Sequence, residues 1–145
     1  MINPIKFNIQ KGRFIMKKLI KVMSLVLCLS LLISCGTEKL SDKYNEEEIK
    51  GVSEQIINNL NHNNYEAVYD MSTDALKETI SEGTLESIWT GISEQVGAFK
   101  KILNYEVREK DGNPVTAVKT EYLEKNVRFI FVFTEDLKLD AMDIN

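Results

Sequence analysis

The sequence is poor in the residues from which most catalytic and metal sites are built. Its 145 residues include one histidine, His62, and two cysteines, Cys28 and Cys35. A structural zinc site takes about four Cys or His ligands, and a catalytic triad needs a base that is usually histidine. The acidic segment 135–143 lacks the D-x-D-x-D-G spacing of a calcium loop. The sequence therefore predicts neither a metal nor another cofactor.

Acidic residues are also missing from one part of the chain. Residues 1–34 contain six basic residues and no Asp or Glu, whereas the residues after Cys35 carry 22 acidic and 12 basic residues, a net charge of −10. Such an acidic region repels phosphate backbones, so nucleic acid is not an expected partner. The contrast indicates that the two regions are built for different surroundings.

The first 34 residues have the pattern of a signal peptide. Three lysines follow Met16, residues 22–33 form an apolar run, and the small Ser34 precedes Cys35. The run is about a dozen residues, which suits a signal peptide, whereas a membrane-spanning helix needs roughly 20. We predict a signal peptide over residues 1–34 that starts at Met16, with residues 1–15 arising from an upstream start codon.

The end of this leader resembles the lipobox of bacterial lipoproteins, in the residues Leu32, Ile33, Ser34 and Cys35. The resemblance implies that the Cys35 thiol receives a diacylglyceryl group, with palmitate among the acyl chains, and that a signal peptidase cuts before it. It also implies attachment to the outer face of the bacterial cell membrane, with residues 35–44 as a lipidated tether. The alternative is an ordinary secretory signal or signal anchor with an incidental cysteine.

The remaining residues, 45–145, predict one α+β domain. Apolar residues at helical spacing predict helices over residues 45–60, 65–71, 72–80 and 84–97, with Asn45 as the first cap. Alternation then predicts strands over residues 103–108, 115–123, 127–134 and 137–144. Short connections between consecutive strands predict an antiparallel meander, with the helices packed on it.

The third predicted strand indicates which face of the sheet is buried. Val127, Phe129, Phe131 and Phe133 alternate along it and are expected to lie in the core. The opposite face carries Arg128, Ile130, Val132 and Thr134, which is less polar than a solvated face. We expect either a covering element or a homodimer contact there.

Residues 53–102 resemble the family labelled domain of unknown function 3887. The matching residues are Asn64, Tyr65, Leu76, Lys77, Leu85, Trp89, Gly97, Ala98 and Phe99. The resemblance implies a cone-shaped, nuclear transport factor 2-like fold in which helices cover the concave face of a curved sheet, and it carries over no catalytic residue. The last strand lacks the glycine expected there, and its period slips between Leu139 and Met142, which predicts a β-bulge.

The sequence favours a non-enzymatic binding module for a small ligand or a protein partner. The candidate residues for a pocket, or for packing, are Tyr69, Trp89, Phe99 and Tyr105. One alternative is a small pocket enzyme that uses a tyrosine with Asp70 or Glu106 for proton transfer, which a buried acid facing a tyrosine across a cavity would favour. Another alternative is a structural module that dimerises through the sheet face.

Overall fold

A computed structural model describes residues 38–145 of the chain. The predicted signal peptide, the lipobox Leu32–Cys35 and the Cys35 attachment point lie outside these residues. None of the helices in the described part is both long and apolar enough to cross a membrane.

Four helices precede four strands in the described residues. The helices are α1 (Glu46–Asn61), α2 (Tyr65–Asp70), α3 (Asp74–Thr79) and α4 (Glu82–Val96). The strands are β1 (Phe99–Lys110), β2 (Asn113–Tyr122), β3 (Asn126–Phe133) and β4 (Leu139–Ile144). They form an open antiparallel sheet in the order β1-β2-β3-β4, which confirms the predicted α+β meander.

Side-chain caps determine where three of the helices begin. Asn45 Oδ1 accepts from the backbone N–H groups of Glu47 and Glu48 at 3.0 and 3.4 Å, so the predicted cap of α1 is confirmed. Thr73 caps α3, and Ser81 caps α4 through the N–H of Thr84 at 3.2 Å. The prediction that α4 starts at Thr84 was wrong by two residues, because glycine is tolerated in a first turn that Ser81 caps.

Gly97 separates α4 from β1 and requires a glycine. Its backbone has φ 75° and ψ −158°, a conformation almost restricted to glycine. A Cβ at this position would also lie 3.0 Å from the Cβ of Leu123. The predicted helix end is therefore confirmed, and it turns the chain directly into the first strand.

The helices cover one face of the sheet, and the core lies between the helices and that face. The helices contribute the buried residues Ile49, Ile56, Ile57, Leu60, Val68, Leu85, Trp89 and Val96. The strands contribute Val118, Tyr122, Val127, Phe129, Phe131, Phe133 and Leu139. The predicted aromatic stripe of β3 is thus confirmed as core, with Phe129 and Phe131 stacked at 5.8 Å between ring centroids.

β-Bulges explain why the start of β1 was predicted wrongly, and a bulge was predicted correctly in β4. β1 begins at Phe99 rather than at residue 103, because register shifts between Phe99 and Lys101 and between Ile102 and Asn104 interrupt its alternation. In β4, Phe133 pairs with Leu139 while Val132 pairs with Ala141. The extra residue in β4 confirms the predicted bulge.

Residues 38–44, which belong to the predicted tether, contact the end of β1 and the turn that follows it. Glu38 forms an antiparallel bridge with Glu109, and the Tyr44 hydroxyl donates to the carbonyl of Gly112 at 2.6 Å. The Ser41 N–H donates to Glu109 Oε2 at 3.0 Å, and hydrogen bonds from Ser41 lower the pKa of Glu109. The folded unit therefore begins before residue 45.

Candidate ligand-binding cleft

A cleft of about 440 Å³ lies between α1 and the beginning of β1. It is lined by Gly51, Glu54, Gln55, Ile57, Asn58, Phe99 and Ile102. The α1 residues recur every three or four positions and therefore share one side of the helix. Gly51 has no side chain to fill the cleft, and a Cβ there would meet nothing within 4 Å.

The cleft has an apolar floor and a polar rim. Ile57 is 2% exposed, Ile102 is half-buried, and Phe99 remains 39% exposed while its ring meets that of Tyr122 edge-on at 5.4 Å. Glu54, Gln55 and Asn58 are exposed along the α1 side. This combination of apolar surface with a few polar groups is typical of ligand sites.

Tyr105 and Glu54 connect the cleft to the sheet. The Tyr105 hydroxyl donates a hydrogen bond to Glu54 Oε1. Burial, this hydrogen bond, and the negative charges of Glu54 and Glu47 together raise the pKa of Tyr105, so the phenol stays neutral. Lys50 lies over the Tyr105 ring, with its Nζ 5.9 Å from the centroid, but it pairs with Glu46 and Glu47 at 2.8 and 2.9 Å.

Glu54 is a carboxylate without a cationic partner in residues 38–145. None of the ion pairs there includes it. A carboxyl that works as a general acid is commonly withdrawn from water, whereas the Glu54 side chain is exposed. The arrangement suits recognition of a hydrogen-bond donor or a cation better than proton transfer.

The four residues singled out from the sequence occupy different places. Phe99 lines the cleft and Tyr105 bonds to its rim. Trp89 is a core residue at 1% exposure, and Tyr69 is half-buried beside α3, where the Lys77 Nζ lies 5.3 Å from its ring centroid. The cleft therefore gathers two of the four.

The acids considered for a pocket enzyme do not lie in the cleft. Asp70 is exposed at the end of α2. Glu106 is exposed on the outer face of the sheet, where its Oε2 lies 3.9 Å from the Arg128 Nη2.

The acid that does meet a tyrosine, Glu54, was missed because a polar residue on a helix surface has no sequence signal of its own. Gly51 did provide a sequence signal for the cleft. Glycine inside a helix costs about 1 kcal/mol relative to alanine, so its presence in α1 suggests a local reason for it.

The buried Tyr122 makes stability depend on pH in the alkaline range. Burial raises the pKa of Tyr122 to about 12 from the ordinary 10.0, and its hydroxyl donates a hydrogen bond to Asn61 Oδ1 at 3.0 Å. Above pH 10 the unfolded chain loses this proton before the folded protein does, so the free energy of unfolding falls as the pH rises to about 12. In the Tyr122→Phe variant, we expect the free energy of unfolding to decrease over this pH range by about 2 to 3 kcal/mol less than in the wild type.

Urea denaturation at pH 9 to 12 would measure the effect. The control is Tyr65→Phe, which leaves Tyr122 in place and should keep the slope of the wild type. Equal slopes for wild type and Tyr122→Phe would contradict the assignment.

Comparisons with known proteins give this chain a family and a fold. Its sequence matches no curated protein. Among solved structures, the NMR structure of a protein from Ruminococcus gnavus ATCC 29149 is similar at a TM-score of 0.60 and 22% identity, over 74% of this chain and 96% of that chain. At this identity the likeness shows the fold alone. Residues 53–142 match the model of a family described as "Protein of unknown function (DUF3887)". Because that match covers more than half of the sequence, the chain belongs to the DUF3887 family.

Proposed function

We propose that this protein is a lipid-anchored, non-enzymatic binding module on the outer face of the bacterial cell membrane. The observation that carries the binding role is the cleft between α1 and β1, whose apolar floor adjoins the Glu54 carboxylate, which forms no ion pair within residues 38–145. The anchor is supported by the order of lysines, apolar run, small residue and cysteine up to Cys35. Two or more acyl chains on Cys35 make attachment stable where one chain anchors only marginally.

We assign the domain to the cone-shaped, nuclear transport factor 2-like class. The support is that all the helices of the described part precede the sheet and that the buried residues of the sheet lie on one face. The interior is filled by aromatic side chains, among them Trp89 and Phe129 at 5.7 Å between centroids. Ligand access is therefore assigned to the edge of the cone rather than to its centre.

A non-enzymatic role is supported by the exposure of the groups that would act as acid or base. His62 is exposed at the end of α1, with its ring Nδ1 2.8 Å from the carbonyl oxygen of Asn58. Glu54 is exposed as well, and Tyr105 keeps its proton. These groups can hold a ligand by hydrogen bonding, which is what the proposal requires of them.

A second candidate role is pairing of two copies through the outer face of the sheet. Val115, Ala117, Ile130 and Val132 are half-buried neighbours on β2 and β3. Such an apolar row between charged residues suits a small isologous contact.

The cleft is tested with tryptamine, whose ammonium group can meet Glu54 while its indole ring packs on Phe99 and Ile102. We expect binding at about millimolar concentration, with NMR shifts of the backbone amides of Gly51, Asn58 and Ile102. Indole-3-propionate, with a similar ring and a negative charge, should bind more weakly. The sample is the chain from residue 35 with Cys35→Ser.

Two tryptophan substitutions separate the cleft from the rest of the surface. Gly51→Trp places a large side chain in the cleft and should abolish the shifts. Gly91→Trp is the matched control, because Gly91 is an exposed residue of α4 with the same open space around it and should leave binding unchanged. Shifts that survive Gly51→Trp, or that map elsewhere, would contradict the proposal.

A further inference from the structure

Strand β1 is an edge of the open sheet, and one of its residues already pairs with an extended segment beyond that edge. The Glu38 N–H donates to the Glu109 carbonyl at 2.7 Å, and the Glu109 N–H donates to the Glu38 carbonyl at 2.9 Å. Both backbone groups of Glu109 therefore point away from β2. Pro114 lies opposite Glu109 in β2 and has no N–H to offer, which agrees with this orientation.

The same orientation applies to two further residues of β1. The register with β2 runs without a shift from Tyr105 to Lys110. Because backbone direction alternates along a strand, the N–H and C=O groups of Tyr105 and Val107 also point off the sheet. Within residues 38–145, neither residue forms a backbone hydrogen bond beyond the sheet. The edge thus offers two donors and two acceptors in an extended row.

Several features that usually protect an edge strand lie in the part of β1 before this row. Both bulges of β1 lie between Phe99 and Asn104. The lysines Lys100 and Lys101 lie in the same part of the strand, where each Nζ is 3.6 Å from a carboxylate oxygen of Glu121. Bulges and lysines discourage strand pairing. Tyr105 and Val107 lie beyond both bulges, in the part of the strand whose register is regular.

The charge of β1 favours a different partner over a second copy of the same strand. Residues 99–110 include four basic and two acidic side chains. Two such strands side by side would bring like charges together, which disfavours pairing.

The cleft lies where the side chains of an added strand would go. Tyr105 directs its side chain to the face that α1 covers, as its hydrogen bond to Glu54 shows. A strand paired with β1 would run about 4.8 Å away from it, with every second side chain on that same face. Those side chains would enter the space between Gly51, Glu54 and Ile102.

We infer that the cleft binds an extended peptide, which pairs antiparallel with Tyr105 and Val107 as a fifth strand. Its inward side chains are apolar against Phe99 and Ile102, with one Lys or Arg that meets the carboxylate of Glu54. Main-chain hydrogen bonds supply affinity in such strand addition, and alternate side chains supply specificity. This inference rests on the proposed function, since it names the class of ligand for the same cleft.

The probe is the synthetic peptide acetyl-Val-Thr-Lys-Thr-Val-Thr-Val-amide, titrated into the chain from residue 35 with Cys35→Ser. In the paired strand, two of the inward Val and Lys residues donate their N–H groups to the carbonyls of Tyr105 and Val107, whereas the Thr N–H groups point to solvent. N-methylation of the Val and Lys residues should weaken binding at least tenfold, since each lost hydrogen bond removes up to about 1.5 kcal/mol. N-methylation of the Thr residues should change it less than about threefold.

Two further readouts locate the peptide. Hydrogen exchange at the amides of Tyr105 and Val107 should slow when the peptide is bound. Glu54→Gln should weaken the lysine peptide but not a peptide with alanine in place of lysine.

The outcomes separate this inference from the proposed function. Equal binding of both N-methylated peptides, or unchanged exchange at Tyr105 and Val107, would overturn strand pairing while the cleft remains the site. If tryptamine binds and no peptide does, the peptide class is wrong and the proposed function stands. If neither binds, both fail.

Discussion

Replacing Trp89 with alanine is expected to lower the free energy of unfolding by about 3 to 5 kcal/mol. The indole is 1% exposed and packs against the rings of Tyr122 and Phe129, at 6.1 and 5.7 Å between centroids. Truncation removes the buried surface and leaves a cavity that the surrounding aromatic rings fill only in part. Small domains are stable by about 5 to 15 kcal/mol, so the loss is a large share of the total.

The neighbouring residue supplies the control for this prediction. Ile88 precedes Trp89 in the same helix and is 45% exposed, so Ile88→Ala tests the helix without opening the core. We expect its effect to stay below about 1 kcal/mol. Both variants would be measured by urea denaturation followed by circular dichroism. Tryptophan fluorescence cannot be used, because Trp89 is the sole tryptophan and one of the variants removes it. Similar losses for the two variants would contradict the place of Trp89 at the centre of the core.

The second large effect is expected at Cys35 and follows from the proposed anchor. Mass spectrometry of the protein purified from the membrane should show a chain that begins at Cys35 and carries the mass of a diacylglyceryl group with its acyl chains. Cys35→Ala should lose that mass completely, and labelled palmitate should no longer be incorporated. The change is all-or-none because the thioether has no other sulfur to form on at this position.

Cys28 is the matched control, since it lies in the apolar run that the proposed processing would remove. Cys28→Ala should leave the mature mass and the lipid unchanged. An unmodified N-terminus and recovery of the wild-type protein in the soluble fraction would overturn the anchor. A precursor peptide that contains Pro4 would contradict the start at Met16.

The proposed anchor implies a short spacer between the lipid and the domain. Glu38, the first described residue, is already bridged to Glu109 of β1, and it lies three positions after Cys35 in the sequence. The predicted ten-residue tether is in large part docked on the domain. We therefore expect the domain to be held close to its attachment point rather than on a long flexible linker.

Elements with a strong local period could be predicted from the sequence. The apolar positions of α1 and the alternating Val127, Phe129, Phe131 and Phe133 of β3 fix which face each element buries, because burial of one face selects the register. Gly97 could be placed as well, since its backbone conformation is almost restricted to glycine. The beginning of β1 could not, because two bulges there erase the alternation that identifies a strand.

By itself, the sequence determined the α+β class, the order of the elements and the buried faces, all of which depend on neighbours within a few residues. Its leader pattern carries the prediction of lipid attachment at Cys35. Only the tertiary structure decided that Glu54 meets Tyr105 across 51 positions of the chain, and that Gly51 faces Phe99 and Ile102. It also decided that Trp89 is core while Phe99 stays partly exposed. The physical reason is that a cleft is the space left between packed elements, and the sequence encodes their packing only through contacts between residues far apart in the chain.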